Sequence, residues 1–228
     1  MKIDDKLYIN IVFEVPEKPA EPGEDIFGID LGLINLVTIV SEPSRNSKFV
    51  SGLRYKKRLT QLKEQYRRTK KRKSKQRIGR KISRINKDTA HKISRKIADA
   101  ALSNKIQAIV FEDLKNCKPE KGKRKKKMNF RLSMWMRKRI QEYTAYKAGL
   151  GGVPVVTVDP RYTSQRCPRC NHTESKNRDG ILFSCRNCGY SNNADRVGSI
   201  NIAQKHLGVF VEQKFSTGKT PLWTAGDV

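Results

Sequence analysis

Residues Cys167 to Ala203 read CPRCNHTESKNRDGILFSCRNCGYSNNADRVGSINIA, and the rest of the chain is parsed around them. Two Cys-x-x-Cys knuckles, Cys167/Cys170 and Cys185/Cys188, are separated by fourteen residues. Four thiolates at that spacing make a tetrahedral set that suits a structural Zn²⁺ and leaves no open position for a catalytic water. Gly189 follows the second knuckle, where a tight turn lets backbone N–H groups approach the sulfurs. Seven residues after Cys188 stands Asp195, just ahead of a helical pattern of Val197, Ile200, Ile202 and Leu207. A metal-held loop thus delivers an acid to a helix N-terminus, where the helix dipole favours its ionised form.

Composition narrows the partners. The 228 residues include 49 Lys and Arg against 22 Asp and Glu, a formal net charge of +27. That imbalance predicts a polyanionic partner, and nucleic acid is the commonest. No apolar run approaches the roughly 18 residues that a membrane span needs. The opening MKIDDKLYIN lacks a signal-peptide layout, so a cytoplasmic location is expected. Thiols stay reduced there, which favours metal over disulfide for the paired cysteines. Cys117 has no such partner and reads as an ordinary thiol.

Working outward, KLYINIVFEV (Lys6 to Val15) alternates as a half-buried strand with no hairpin partner before it, and Pro16, Pro19 and Pro22 mark a linker. It reads as the last strand of a preceding domain. IFGIDL (Ile26 to Leu31), LVTIV (Leu36 to Val40) and Lys48 to Ser51 form a three-strand meander. Arg54 to Lys81 holds fifteen Lys or Arg and one acid, Glu64, with Tyr55, Leu59, Leu62 and Tyr66 at helical spacing. The helical pattern continues through Ile82, Ile85, Ile93 and Ile97 to about Ser103, with an interruption expected at Gly79. So dense a charge repels itself unless phosphates neutralise it. Arg67, Arg68, Lys70, Lys71, Arg72, Lys73, Lys75 and Arg77 are therefore candidate nucleic-acid contacts, as are Arg124, Lys125 and Lys126 in a basic loop. His91 reads as structural. IQAIVFED (Ile106 to Asp113) is another strand, Asn129 to Leu150 a helix with an aromatic core face, and VPVVTVD (Val153 to Asp159) the next strand.

Three acids recur in matching contexts: Asp30 in the first core strand, Glu112 at the end of the fourth, and Asp195 at the start of the last helix. The order of elements matches an α/β, ribonuclease-H-like (RuvC-like) fold, a mixed sheet flanked by helices with a long basic helical segment and an inserted zinc ribbon. In that fold the first and fourth strands are neighbours. Converging carboxylates are hard ligands for Mg²⁺ or Mn²⁺. Two such ions about 4 Å apart can drive phosphodiester hydrolysis. Asp113 and Asp159 fall outside the trio as turn or cap residues.

Three blocks, GIDLGLINL around Asp30, IVFEDLK around Glu112 and RYTSQRCPRCN…FSCRNCGYSNNADRVGSINIA, resemble the TnpB (OrfB zinc-ribbon) family of transposon-associated nucleases, related to type V CRISPR effectors. The resemblance covers roughly Tyr8 to Leu207. It implies Asp30, Glu112 and Asp195 as catalytic acids of a RuvC-like domain, the cysteines as its zinc ribbon, and DNA and a guide RNA as partners. One departure is Gly198, where the family usually has Asn or Ala. The other is the short N-terminus, which leaves only the last strand of the family's guide-gripping region. The domains expected are a remnant and linker (1–22), a nuclease core (23–160) with its basic segment (54–104), the ribbon (161–192), the last core helix (193–208) and a tail (209–228). Two activities lead, a metal-dependent DNA endonuclease or a remnant that binds nucleic acid without cutting it; a third, a structure-selective junction resolvase, shares the acids but gives no reason for the zinc ribbon.

Overall fold

The computed structural model describes residues 23–32, 35–113 and 136–208, together with the backbone of 2–3 and 6–7 and the isolated positions 9 and 14. Near the start, β1 (Lys2–Ile3) pairs antiparallel with β2 (Lys6–Leu7), so the strand expected to stand alone has a short partner at its beginning. Most of Lys6 to Val15, Cys117, the loop holding Arg124, Lys125 and Lys126, and the tail 209–228 lie outside the described residues.

The core is a five-strand mixed sheet. It comprises β3 (Ile26–Asp30), β4 (Asn35–Glu42), β5 (Ser47–Ser51), β6 (Ala108–Glu112) and β7 (Val155–Val158), in the order β5-β4-β3-β6-β7. The meander β3-β4-β5 is antiparallel, whereas β6 lies parallel to both β3 and β7. Parallel neighbours require crossovers, and two helical connections supply them. Alternation then sorts side chains by face. Phe27, Ile29, Ile109 and Phe111 pack with Ile93, Ile97 and Ile140 from α2 (Arg72–Ser103) and α3 (Arg137–Gly149). Ile26, Ala108 and Val110 face the other way, onto Ile202 and Ala203 of α4 (Ala194–His206).

The basic segment is a helical hairpin, but its break is not at Gly79. The first helix, α1 (Leu53–Arg68), stops at Thr69, whose backbone is extended and whose hydroxyl donates to the Gln65 carbonyl at 2.7 Å. Lys71, also extended, then precedes α2. Side-chain competition for a backbone carbonyl ends this helix, and Gly79 is carried inside α2 with open space around it. Glycine interrupts a helix only when the gain in freedom exceeds what tertiary packing returns, and buried Ile78, Ala90 and Ile93 hold α2 in place.

Two glycine substitutions should therefore act in opposite directions. Gly79→Ala should stabilise the fold by about 0.5–1 kcal/mol through helix propensity. A Cβ on Gly28 would overlap the Ser199 carbonyl oxygen and lie 2.9 Å from the Ala203 nitrogen, both backbone atoms of α4. Gly28→Ala should cost at least about 3 kcal/mol by forcing that helix off the sheet. Thermal melting of the two variants checks both signs.

Candidate metal and nuclease centre

The period of the sheet brings two acids together. Ile29 pairs with Phe111 across the parallel β3–β6 ladder, so Asp30 and Glu112 end neighbouring strands on the same edge and the same face. That face is the one α4 covers. Its N-terminus lies against the ends of these strands and presents Asp195 in its first turn. Asn193 caps the helix, accepting hydrogen bonds from the Asp195 and Arg196 N–H groups at 2.9 and 3.2 Å. The close approach is made possible by small residues. A Cβ on Gly198 would lie 3.3 Å from Asp30 Oδ2, and one on Gly32 would lie 3.8 Å from Asp195 Oδ2.

Each acid has its own polar partners. Asp195 Oδ1 pairs with the Arg178 guanidinium at 3.2 Å, and Oδ2 accepts from the Asn35 amide at 3.1 Å. Glu112 Oε1 accepts from the Thr163 hydroxyl at 2.5 Å, while the Gln141 amide holds the Glu112 backbone carbonyl at 2.9 Å. The Asp30 N–H donates to Ser199 Oγ at 3.3 Å, and that hydroxyl also lies within hydrogen-bond distance of the Thr38 and Asp195 carbonyls.

Burial raises two of these carboxyls. Burial first, and then the charges of Glu112 and Asp195, push the Asp30 carboxyl up to about 7 from an ordinary 3.8, against the opposing pull of Arg137 and Arg178. Burial likewise raises Glu112, opposed by the Thr163 hydrogen bond and by Arg137, Arg178 and Lys205. A divalent cation among the three would reverse both effects, so the donor chemistry fits Mg²⁺ or Mn²⁺.

The cysteines form the second centre. Their four sulfurs lie within 4.8 Å of one another, which no other group of three or more metal-ligating side chains matches among the described residues. Cys167 Sγ is 3.7 Å from Cys188 Sγ, and Cys170 Sγ is 3.5 Å from Cys185 Sγ. Those separations are far beyond a disulfide and near the edge of a ZnS₄ tetrahedron, about 3.8 Å for a Zn–S bond of ~2.3 Å. Gly189 takes a positive φ of 69°, and its N–H donates to the Cys185 carbonyl at 3.0 Å, which closes the second knuckle. The Arg169 N–H and the Asn187 amide donate to Cys167 and Cys170 sulfurs at 3.4 and 3.6 Å. Around this centre run β8 (Arg178–Asp179), β9 (Leu182–Ser184) and β10 (Ser191–Asn193), a small antiparallel sheet. Asp30, Glu112 and Asp195 do not form a group of that closeness.

Sequence reasoning missed Arg178, Thr163, Asn35 and Ser199. Arg178, Thr163 and Asn35 stand 17, 51 and 160 residues from the acids they touch, and Ser199, though four residues after Asp195, meets Asp30 across 169, so spacing carried no signal for these contacts. Asn193 was missed as well, although an Asn just ahead of a helical pattern is an N-cap signal. Asp159 is a turn residue as expected, accepting from the Arg161 N–H at 3.1 Å. His91 is structural, stacked on Tyr143 with ring centroids 4.0 Å apart. Arg67, Arg68, Lys70, Lys71, Arg72, Lys73 and Arg77 are all exposed around the α1–α2 bend, and Lys75 is half-buried with its ammonium 5.6 Å from the Tyr66 ring centroid. No helix among the described residues is long and apolar enough to cross a membrane.

Comparison with known proteins places this architecture. Residues 10–118 match the family model for a probable transposase (OrfB_IS605), and residues 138–202 match that of the Cas12f1-like TNB domain. The CRISPR-associated endodeoxyribonuclease Cas12f1 of Sulfoacidibacillus thermotolerans is 33% identical, over 91% of this chain and 52% of its own length. The TnpB-like protein aq_aa05 of Aquifex aeolicus is 38% identical, over 52% of this chain and 40% of its own. The putative RNA-guided DNA endonuclease InsQ of Escherichia coli K12 is 32% identical, over 86% and 53%. The chain thus spans about half the length of the curated relatives it matches. A cryo-EM structure of a Cas12f1–sgRNA–target DNA complex superposes with a TM-score of 0.66 at 22% identity, over 85% of this chain and 52% of the other, and supports the fold. With the meander, the four-cysteine module and the capped last helix in their order, these matches lead to one assignment: the chain belongs to the TnpB (OrfB zinc-ribbon) family.

Proposed function

We propose that this chain carries the nuclease centre of a metal-dependent endodeoxyribonuclease that is RNA-guided as a whole protein, with Asp30, Glu112 and Asp195 as the ligands of Mg²⁺ or Mn²⁺. The observation that carries the reading is the convergence of three acids from separate elements: Asp30 and Glu112 end neighbouring parallel strands, and the first turn of α4 presents Asp195 to them. Carboxylates crowded without a cation are costly, and a site built that way gains most from binding one. Two such ions, when bound, would activate a water and stabilise the leaving 3′ oxygen. The protein's own groups do the rest. Asn35 and Arg178 fix the Asp195 carboxylate, and Arg178 brings a cation to where phosphate charge develops. The four cysteines hold Zn²⁺, which keeps the strand bearing Arg178 folded beside the acids. The partition into nuclease core, inserted ribbon and last core helix follows from the same reading.

The basic hairpin is proposed to hold the nucleic-acid backbone. Its second helix begins with Arg72, Lys73 and Lys75 in the first turns, with no acid there and no side-chain cap. Cations at a helix N-terminus oppose the helix dipole, a cost that phosphates close to these residues would remove. The basic loop with Arg124, Lys125 and Lys126 is assigned the same role from charge alone.

Incubating the purified chain with single-stranded DNA and Mn²⁺ or Mg²⁺ tests this function. Cleavage that EDTA abolishes is expected, and salt-sensitive binding without cleavage under any metal would favour the non-cutting alternative. A separate expectation concerns the hairpin. Changing Lys70, Lys71, Arg72 and Lys73 together to Gln should flatten the plot of log affinity against log salt by ~0.7–0.9 for each phosphate that these side chains neutralise. An unchanged slope would remove the hairpin from the interface.

A further inference from the structure

The turn between β7 and the first cysteine knuckle is built more rigidly than a connection requires. Asp159 Oδ1 accepts from the Arg161 N–H at 3.1 Å, which starts the reversal. Tyr162 then adopts φ 62°, a left-handed conformation that a bulky residue takes at a cost of about 1–2 kcal/mol. Its carbonyl accepts from the Gln165 and Arg166 N–H groups, both at 3.0 Å. From across the interface, the fully buried Asn201 of α4 donates to the Thr163 carbonyl at 2.7 Å and to the Arg166 carbonyl at 2.8 Å. The strain at Tyr162 is thus offset by hydrogen bonds on both sides.

What this turn delivers is one hydroxyl. Thr163 is 1% exposed, and its Oγ1 lies 2.5 Å from Glu112 Oε1 and 2.9 Å from the Pro160 carbonyl. A hydroxyl has one proton, and the ionised carboxylate is the stronger acceptor. Satisfying the turn alone would need only the Pro160 carbonyl. The bond to Glu112 instead crosses to the end of a different strand.

We propose that Thr163 is a positioning residue whose buried hydroxyl fixes one carboxylate oxygen of Glu112 and so presents the rest of that carboxylate to the divalent metal. The proposal rests on Glu112 being a metal ligand. Partners that orient metal ligands in this way are typically worth ~10–100-fold in metal affinity or activity. Gln141 holds the backbone of the same residue, so Glu112 is restrained at both ends.

The test is titration of Mn²⁺ into the full chain, followed by electron paramagnetic resonance of the free ion, with zinc content and thermal melting recorded in parallel. Thr163→Val keeps the volume and removes the donor. It should weaken Mn²⁺ binding about tenfold or more while zinc content and melting stay as in the wild type. Thr163→Ser, which keeps the hydroxyl, should restore wild-type affinity. If Thr163→Val does not fold, Thr163→Ala should show the same weakening. Wild-type Mn²⁺ affinity in Thr163→Val or Thr163→Ala would overturn the proposal. So would a serine variant as weak as the valine one, since packing and not the hydroxyl would then be responsible. Glu112→Gln serves as the reference: if it binds Mn²⁺ as tightly as the wild type, the metal-ligand reading of Glu112 fails first and the positioning role falls with it.

Discussion

Asp30→Asn is expected to abolish metal-dependent cleavage, by on the order of 10³–10⁴-fold or more, and at the same time to make the metal-free protein more stable. The two effects have one cause. In the absence of a cation the Asp30 carboxyl is raised to about 7, by burial first and by Glu112 and Asp195 next. A carboxyl raised above its unfolded value contributes stability that is fully present below that value and is lost as pH rises through the folded one. The window therefore runs from about pH 4 to about pH 7. In zinc-loaded protein without Mg²⁺ or Mn²⁺ the wild type should lose up to about 4 kcal/mol across it relative to Asp30→Asn. Adding Mn²⁺ should close the gap, because the ion neutralises the repulsion that the substitution removes. Melting curves at pH 4.5, 6 and 7.5, with and without Mn²⁺, read this directly. Equal pH dependence in both proteins would mean that the Asp30 carboxyl is not raised in the folded protein. Glu112→Gln and Asp195→Ala should also end cleavage while leaving nucleic-acid binding largely intact.

Removing the ribbon's zinc should be the second large loss. The ribbon's core is small, consisting chiefly of Cys167, Phe183, Cys185, Ala194 and Val197, and should not hold its fold without a metal. Cys185 is 2% exposed, so Cys185→Ser removes a ligand from the middle of that cluster. With the ribbon melted, Arg178 leaves Asp195, and the buried Asn177 no longer ties the Gln165 carbonyl to the Arg186 N–H. Cleavage should fall about 100-fold or more, in line with the loss of one fixed charge beside the reacting phosphate. Limited proteolysis should then cut within residues 167–190 while the five-strand sheet remains protected. An untouched ribbon in zinc-free protein would show that the sulfurs pack without a metal.

The sheet and the acids were legible in the sequence because both depend on local patterns. IFGIDL and IQAIVFED read as apolar strands, and two-residue alternation suffices to put Asp30 and Glu112 on one face once the strands are neighbours. The cysteine module was legible because the spacing of its two Cys-x-x-Cys knuckles is itself the signal, and the four sulfurs do come together. What stayed hidden depends on contacts between distant segments. Thr163 reaches Glu112 across 51 residues and Asn35 reaches Asp195 across 160, and no periodicity encodes either. The bend at Thr69–Lys71 was misplaced to Gly79 because glycine is the stronger general signal, whereas here a threonine hydroxyl ends the helix and packing carries Gly79 through. Gly198 reads in the sequence as a minor departure from the family, yet it lies against Asp30, where a Cβ would come within 3.3 Å of Oδ2.

Anomalous diffraction from crystals of the chain grown with Mn²⁺ measures most directly whether Asp30, Glu112 and Asp195 hold divalent ions. Two manganese peaks bracketed by the three carboxylates are predicted, with a separate zinc peak among Cys167, Cys170, Cys185 and Cys188. Zinc at the cysteines and no manganese at the acids, in crystals saturated with Mn²⁺ at neutral pH, would contradict a nuclease centre built on these three acids.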